Sequence, residues 1–536
     1  MEKRTLIAVV LSLLILVIYQ EWVARQYGTP PSPPQDEKQA ERATPSSPKP
    51  QLKPLPAPAA APPGRQAVRE IQVETDQYIA IFTNQGARLR SFALKRYRTS
   101  VDERSPLFEM VSSAAGVPYP LGVQLHGAVP LNDDGIIYSV RENSLRLTGD
   151  AKGRLVFQGQ TPTGATLTKE LTFTGSSYPI GLEISVEGTD GSVAPGLLLT
   201  SDGNHKGAAQ EAVFEGFLAV VGNKIRREPR DELNKGKDLS GSVAWAGFGY
   251  TYFLFALVPE SKEDQKIAVV QSGPALVMDI RNLSGPKAGE KSRYTLFIGP
   301  KDLDVLKSME RGLERSIDFG YFAFVSIPFL YVMRFFHRFT ASYGIDIILL
   351  TVLIKLLTAP LTHKSFVSMK QMQKLQPQME RIKERFKDDK EKLNKEIMEL
   401  YRRNKVNPLG GCLPMLLQIP VFIGLYNALL TPIELRHAPF MWIKDLSRPD
   451  WESLPITLAG WKTGIPILTL LMGASMFVQQ WMTPSAGDPN QRRMMLLMPV
   501  IFTAMFVTFP AGLTIYWLVN NILSIGQQYL TNRMDR

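Results

Sequence analysis

Hydrophobic positions are distributed along this chain in two ways. Between residues 65 and 310 they alternate with polar ones; at the N-terminus and beyond residue 344 they run together. Alternation at Tyr78-Ile79-Ala80-Ile81-Phe82, and again from Ala165 to Phe173, sends successive side chains to opposite faces of an extended strand. Ser242 to Pro259 and Arg293 to Ile298 read as further strands. Turn residues at Asn84–Gly86, Thr163-Gly164, Gly175-Ser176 and Ser284-Gly285 punctuate them. Strands at this spacing over roughly 245 residues predict a large all-β sandwich. No active-site spacing is visible in it, so its surface reads as a binding face, a spacer or a docking scaffold.

The uninterrupted apolar runs are 5–20, 344–361, 409–430, 463–482, 494–509 and 511–530. Each is long enough to predict a membrane span, six in all. The fifth, 494–509, is short against the roughly 20 residues of a full crossing and implies local bilayer thinning. Phe509-Pro510-Ala511-Gly512 separates the last two as a tight turn. The first run follows Met1-Glu2-Lys3-Arg4 and lacks a small-x-small cleavage site, with Trp22 where a small residue is needed. It reads as an uncleaved signal-anchor within residues 1–27. Residues 28–64 hold twelve prolines and form a tether. The sandwich occupies 65–318, ending in a helix over 301–318. Residues 319–343 mix ten Phe or Tyr with Arg334, His337 and Arg338, which suits an amphipathic helix lying in the interface; a further buried helix is the alternative. Residues 344–536 form a five-helix core, including a hairpin over 363–409.

Charge orients the spans. Segment 363–409 has 13 Lys/Arg against 7 Asp/Glu, whereas 431–462 has 4 of each. The segments 483–493 and 531–536 are each net positive. The positive-inside rule puts 363–409, 483–493 and both termini in the cytoplasm, with the sandwich and 431–462 outside, in the periplasm of a bacterial cell. The net charge of +11 is therefore mostly a topology signal, and no specific DNA binding is expected. One cysteine excludes a disulfide scaffold, and five scattered histidines argue against a zinc site. Phosphate-loop, G-x-S-x-G and dinucleotide fingerprints are missing. The chain reads as no enzyme, with no cofactor. Cys412 lies in an internal Leu-Gly-Gly-Cys, which excludes lipidation, and has no basic neighbour to activate it.

The second span carries one cation, Lys355, about six residues from its cytoplasmic end. Thr351, Lys355, Thr358 and Thr362 share one helical face. A cation in hydrocarbon costs several kcal/mol unless it meets water or a partner; snorkelling to the interface is the alternative. The last span repeats the pattern with Thr514, Trp517, Asn521, Ser524 and Gln528. Gln418, Ser475, Gln479 and Thr503 add polar atoms from the spans between. These residues read as the lining of a wet groove, with interhelical hydrogen bonding as the competing reading. The hairpin has apolar positions Leu375, Met379, Ile382 and Phe386 on one arm and Leu393, Ile397 and Tyr401 on the other. Its candidate contact residues are Arg381, Lys383, Arg385 and Lys387, with Asp388 and Asp389 at the turn. They suit ribosomal RNA, lipid headgroups or a protein, or a hairpin that only fixes topology.

Lys405–Pro414, followed by Gln418-Ile419-Pro420-Val421-Phe422, resembles the most recognisable segment of the YidC/Oxa/Alb family of membrane protein insertases. Met498–Phe502 and Phe509–Leu513 are similar to that family's fifth and sixth spans, and the anchor, tether and β domain resemble its Gram-negative form. The resemblance implies a groove open to the cytoplasm and lipid but closed outside. In it, a cation draws in the hydrophilic part of a nascent membrane protein, and apolar span faces release its helix to the bilayer. The family's cation is usually Arg, and Lys355 matches it; charge carries over, the planar fork does not. Thr351 matches the family's Thr one turn earlier, and Tyr516-Trp517 its aromatic site. The resemblance also implies partnership with the SecYEG translocon, accessory Sec proteins and the ribosome, and a chaperone role. A transporter would need paired charges or broken repeats at the midplane, and an intramembrane protease a nucleophile and base within the spans. Neither pattern is present.

Overall fold

The computed structural model describes residues 67–111, 117–126, 130–188, 194–201, 214–261, 263–284, 291–387, 389–404, 406, 413–458, 461–483 and 489–534. The signal-anchor, the tether, Asp388 and Cys412 lie outside the described residues. Gln66–Ala486 and Leu496–Arg536 together make one compact unit, the one described below; the other, Met1–Arg65 with Gly487–Met495, lies largely outside the described residues.

The alternating segments do form strands, grouped in three sheets. A five-stranded sheet is built around Glu70–Glu74, Tyr78–Thr83 and Arg88–Arg98. An eight-stranded sheet runs from Lys224–Pro229 at one edge to Lys152–Gln160 at the other, and a six-stranded sheet is centred on Ala275–Asn282 and Ala194–Ser201. Ser242 to Pro259 is two antiparallel strands, Val243–Gly249 and Phe253–Pro259. Both are buried on both faces, so no alternation marks the turn between them. The strand ends therefore differ from the single strand expected.

Lys169 sits where the three sheets meet and is fully buried. Its ammonium donates to the carbonyls of Gly86 and Leu121, each at 2.7 Å, and pairs with Asp133 at 2.5 Å. Asp133 also accepts from Arg88, the Tyr138 hydroxyl and the Val123 amide. A buried charge is tolerable only when so fully bonded. Burial still pushes the Lys169 ammonium down from its ordinary value, against the pull of Asp133.

Helix α1, Leu303–Ser308, capped by Asp302, and a 3-10 turn at Leu313–Ser316 close the β domain. Helix α2 spans Ala323–Thr340. It buries Leu330 and Met333 and leaves Phe324, Tyr331, Phe335 and Phe339 exposed, the two-faced pattern expected of an interfacial helix. Then follow α3 (Tyr343–Lys374), α4 (Gln376–Arg385), α5 (Lys390–Arg403), α6 (Leu413–Leu430), α7 (Ile467–Met482), α8 (Pro489–Phe506) and α9 (Ala511–Met534). Where described, the apolar runs beyond residue 344 are thus helical over most of their length; 463–464 end a short strand, Trp461–Gly464. Helix α3 continues 13 residues past the expected end of its span, through Pro360, because nothing breaks it before Leu375. By length and composition only Tyr343–Lys374 among the described residues is long and apolar enough to cross a membrane; Leu416–Leu430, Ile467–Met482 and Met495–Phe506 are apolar but shorter.

Candidate substrate groove

Helix α9 packs along α7 and α3, and α2 along α6 and α3. The segment between α6 and α7 supplies the backbone bonds that start two helices. Carbonyls of Arg448 and Leu446 accept from Ala511 and Gly512 at the first turn of α9. Buried Asp450 accepts from the Leu468 amide at 2.8 Å and the Thr469 hydroxyl at 2.7 Å at the start of α7. These groups satisfy amides that a helix leaves open. They also set which end of the core faces the segment 431–466.

Lys355 lies 12 residues into α3, about 18 Å from that end at 1.5 Å per residue. It is half-buried. Its ammonium donates to Ser524 Oγ on α9 at 2.6 Å. Among the described residues no carboxylate is within ion-pair distance of it. Asp346, the acid nearest along the helix, is fully buried and engaged elsewhere: it accepts from Thr340 Oγ1 at 2.5 Å and pairs with His337 Nδ1 at 2.7 Å, at the elbow between α2 and α3.

The other expected groove residues divide into three groups. Thr351, Thr358 and Thr503 turn their hydroxyls back to the carbonyls of Ile347, Ile354 and Pro499, each four residues earlier. A helix always offers this local bond; it uses the hydroxyl proton and leaves the lone pairs free to accept. Thr503 also packs against Gly473 of α7, where any larger residue would collide with it. Gln418, Asn521 and Ser475 bond between helices: Gln418 Nε2 to the Tyr516 hydroxyl at 2.5 Å, Asn521 Nδ2 to Ser475 Oγ at 2.9 Å. Gln479 is half-buried on α7.

Trp517 belongs to an aromatic cluster. It packs edge-on against Phe422 at 5.2 Å and lies 5.3 Å from Phe506, with Phe502, Phe509 and Tyr426 completing the group. These rings fill the space between α6, α8 and α9 on the side of the core nearer 431–466. Lys355 and Ser524 lie about two turns further along. The sequence marks only Tyr516-Trp517 as an aromatic site, through the family resemblance; that rings converge there from three helices is not legible in it.

In the hairpin, Tyr401 donates to Met379 Sδ at 2.9 Å, closing α5 on α4, and Asp389 caps α5 through the Lys392 amide. Arg381 and Arg385 are exposed and Lys383 half-buried on α4, and Lys387 is exposed beyond it. They stand along the hairpin, away from Lys355 in sequence and element. Among the described residues no cluster of His, Cys, Asp and Glu has the makings of a metal site.

The profile of a family described as 60Kd inner membrane protein matches residues 335–536, and that of the YidC periplasmic domain matches 70–332. The chain is 40% identical to the membrane protein insertase YidC of Syntrophus aciditrophicus, covering 99% of this chain and all of that one. The chain belongs to the YidC family. The YidC insertase of Pelobacter propionicus is 39% identical over 100% of this chain and 99% of its own. A crystal structure of an active YidC insertase with its first transmembrane segment resolved is similar over 87% of this chain and 93% of its own, at 19% identity and a TM-score of 0.38. The β domain is thus the family's periplasmic domain, and the helices from α3 onward belong to its membrane part.

Proposed function

We propose that this YidC family member inserts nascent membrane proteins by drawing their hydrophilic flanks toward Lys355, while the new helix leaves to lipid beside it. The observation that carries this is a half-buried ammonium deep in the helical core, bonded to a neutral hydroxyl and facing no carboxylate among the described residues. A cation so placed raises the local affinity for an acidic segment. Transfer of the apolar segment needs no nucleotide, since burial in lipid is downhill and only the polar flank resists. The aromatic cluster at Trp517 closes the periplasmic side. The cytoplasmic hairpin, six spans with both termini inside, a chaperone role and cooperation with SecYEG, accessory Sec proteins and the ribosome complete the reading. They are supported by the loop charges and the family resemblance.

The test is insertion into proteoliposomes of two substrates, one with an acidic and one with a neutral translocated flank. Lys355→Ala and Lys355→Glu are expected to impair the acidic one, the Glu variant more, with Lys355→Arg active. Normal insertion of the acidic substrate by both impaired-charge variants would remove Lys355 from the mechanism.

A further inference from the structure

Lysine carries its charge on a flexible four-carbon stem and, left alone in a span, swings toward the interface. Here the stem is held. Ser524 is buried at 3% exposure, and its hydroxyl donates to the Asn520 carbonyl at 2.7 Å. Its one proton being spent, only its lone pairs are left, and they accept from Lys355 Nζ at 2.6 Å. The direction of the chain is fixed: ammonium to hydroxyl to backbone carbonyl.

Three bonds hold the serine itself in place. Gln527 Nε2 donates to the Ala359 carbonyl of α3 at 3.0 Å, one turn beyond Lys355. Asn521 bonds Ser475, and Gln528 Nε2 donates to the Met482 carbonyl at 2.7 Å, both on α7. A serine accepts one of the three ammonium donors and neutralises none of the charge. A carboxylate in its place would cancel it.

We infer that Ser524 is the positioning residue for Lys355: it holds the ammonium inside the groove while leaving two of its N–H donors and its whole charge for an incoming anionic segment. This rests on the reading of Lys355 as the substrate-facing cation.

The experiment is a double-mutant cycle on the full chain in proteoliposomes, with the acidic-flank and neutral-flank substrates. Ser524→Ala is expected to lower insertion of the acidic substrate roughly tenfold more than that of the neutral one, as for loss of one hydrogen bond to a charged group. Ser524→Thr, which keeps the hydroxyl, restores most of the rate. In a Lys355→Ala background, Ser524→Ala costs nothing further. Equal losses for both substrates, or the same loss with and without Lys355, would mean that Ser524 serves only the fold, and a wild-type rate in Ser524→Ala would also overturn the inference. If Lys355→Ala is itself silent, the reading of the cation fails. If Lys355→Ala is impaired and Ser524→Ala is not, only the positioning role fails.

Discussion

Lys169, Lys355 and Lys301 meet three different fates. Lys169 is surrounded by acceptors and becomes a structural tie. Lys355 has a neutral partner, the Ser524 hydroxyl, and is the cation of the proposed mechanism. Lys301, at the end of strand Ser292–Pro300, is 3% exposed, and burial pushes its ammonium down to about 7 despite the nearby Glu215. That shift makes a pH prediction. The folded protein favours neutral Lys301, whereas the unfolded chain holds its proton up to the ordinary 10.5. Below pH 7 both states are charged and the burial cost is present in full. As pH rises from about 7 to about 10.5, the folded state sheds the proton first, so stability rises. Lys301→Met is expected to melt higher than the parent at pH 7, with the gap narrowing toward pH 10. Thermal melting of both proteins in detergent across that range checks it; a gap independent of pH would contradict the assignment.

Elements were legible in the sequence where the cause was local. Long apolar runs gave the helices α3 and α6–α9, and Pro510 with Gly512 gave the break between the last two. The end of α3 was not legible, because the edge of an apolar run marks where a membrane would end, not where a helix must. The grouping of strands into three sheets was hidden too, since it depends on contacts such as Lys169 with Gly86, 83 residues apart. In the site, 3- and 4-residue spacing identified the polar faces of α3 and α9. It did not say which hydroxyls donate back to their own helix, as those of Thr351, Thr358 and Thr503 do. Nor did it show that α7 is started by a distant acid. Asp450, 1% exposed, stands 18 residues before Leu468. Asp450→Ala is expected to cost about 2 kcal/mol, the loss of a helix cap with buried donors left open. Asp450→Asn, which keeps an acceptor, should lose less. Denaturation of the two variants in detergent gives the comparison, and equal losses would argue that charge rather than capping matters.

At the scale of the whole molecule, the periplasmic domain is fastened to the core through arginines. Arg436 lies over the rings of Phe108 and Phe253, at 5.1 and 5.7 Å, and donates to the Arg98 carbonyl at 2.7 Å. Arg334 on α2 joins Glu434 to Asp302 and Asp304 at the foot of the β domain. These contacts and the aromatic cluster lie at the same end of the core; in the proposed mechanism, closure there and access from the hairpin end form one design. Its central claim is that a polar flank passes Lys355 rather than the lipid-facing surface. The most direct measurement is disulfide crosslinking of an arrested nascent chain, with a cysteine in its hydrophilic flank, to single cysteines at 358, on the face of Lys355, and at 357, in a Cys412→Ser background that keeps Lys355. Leu357 is 74% exposed on the outside of the same helix. Adducts are expected from position 358 and few from 357. Equal adducts, or a preference for 357, would contradict it.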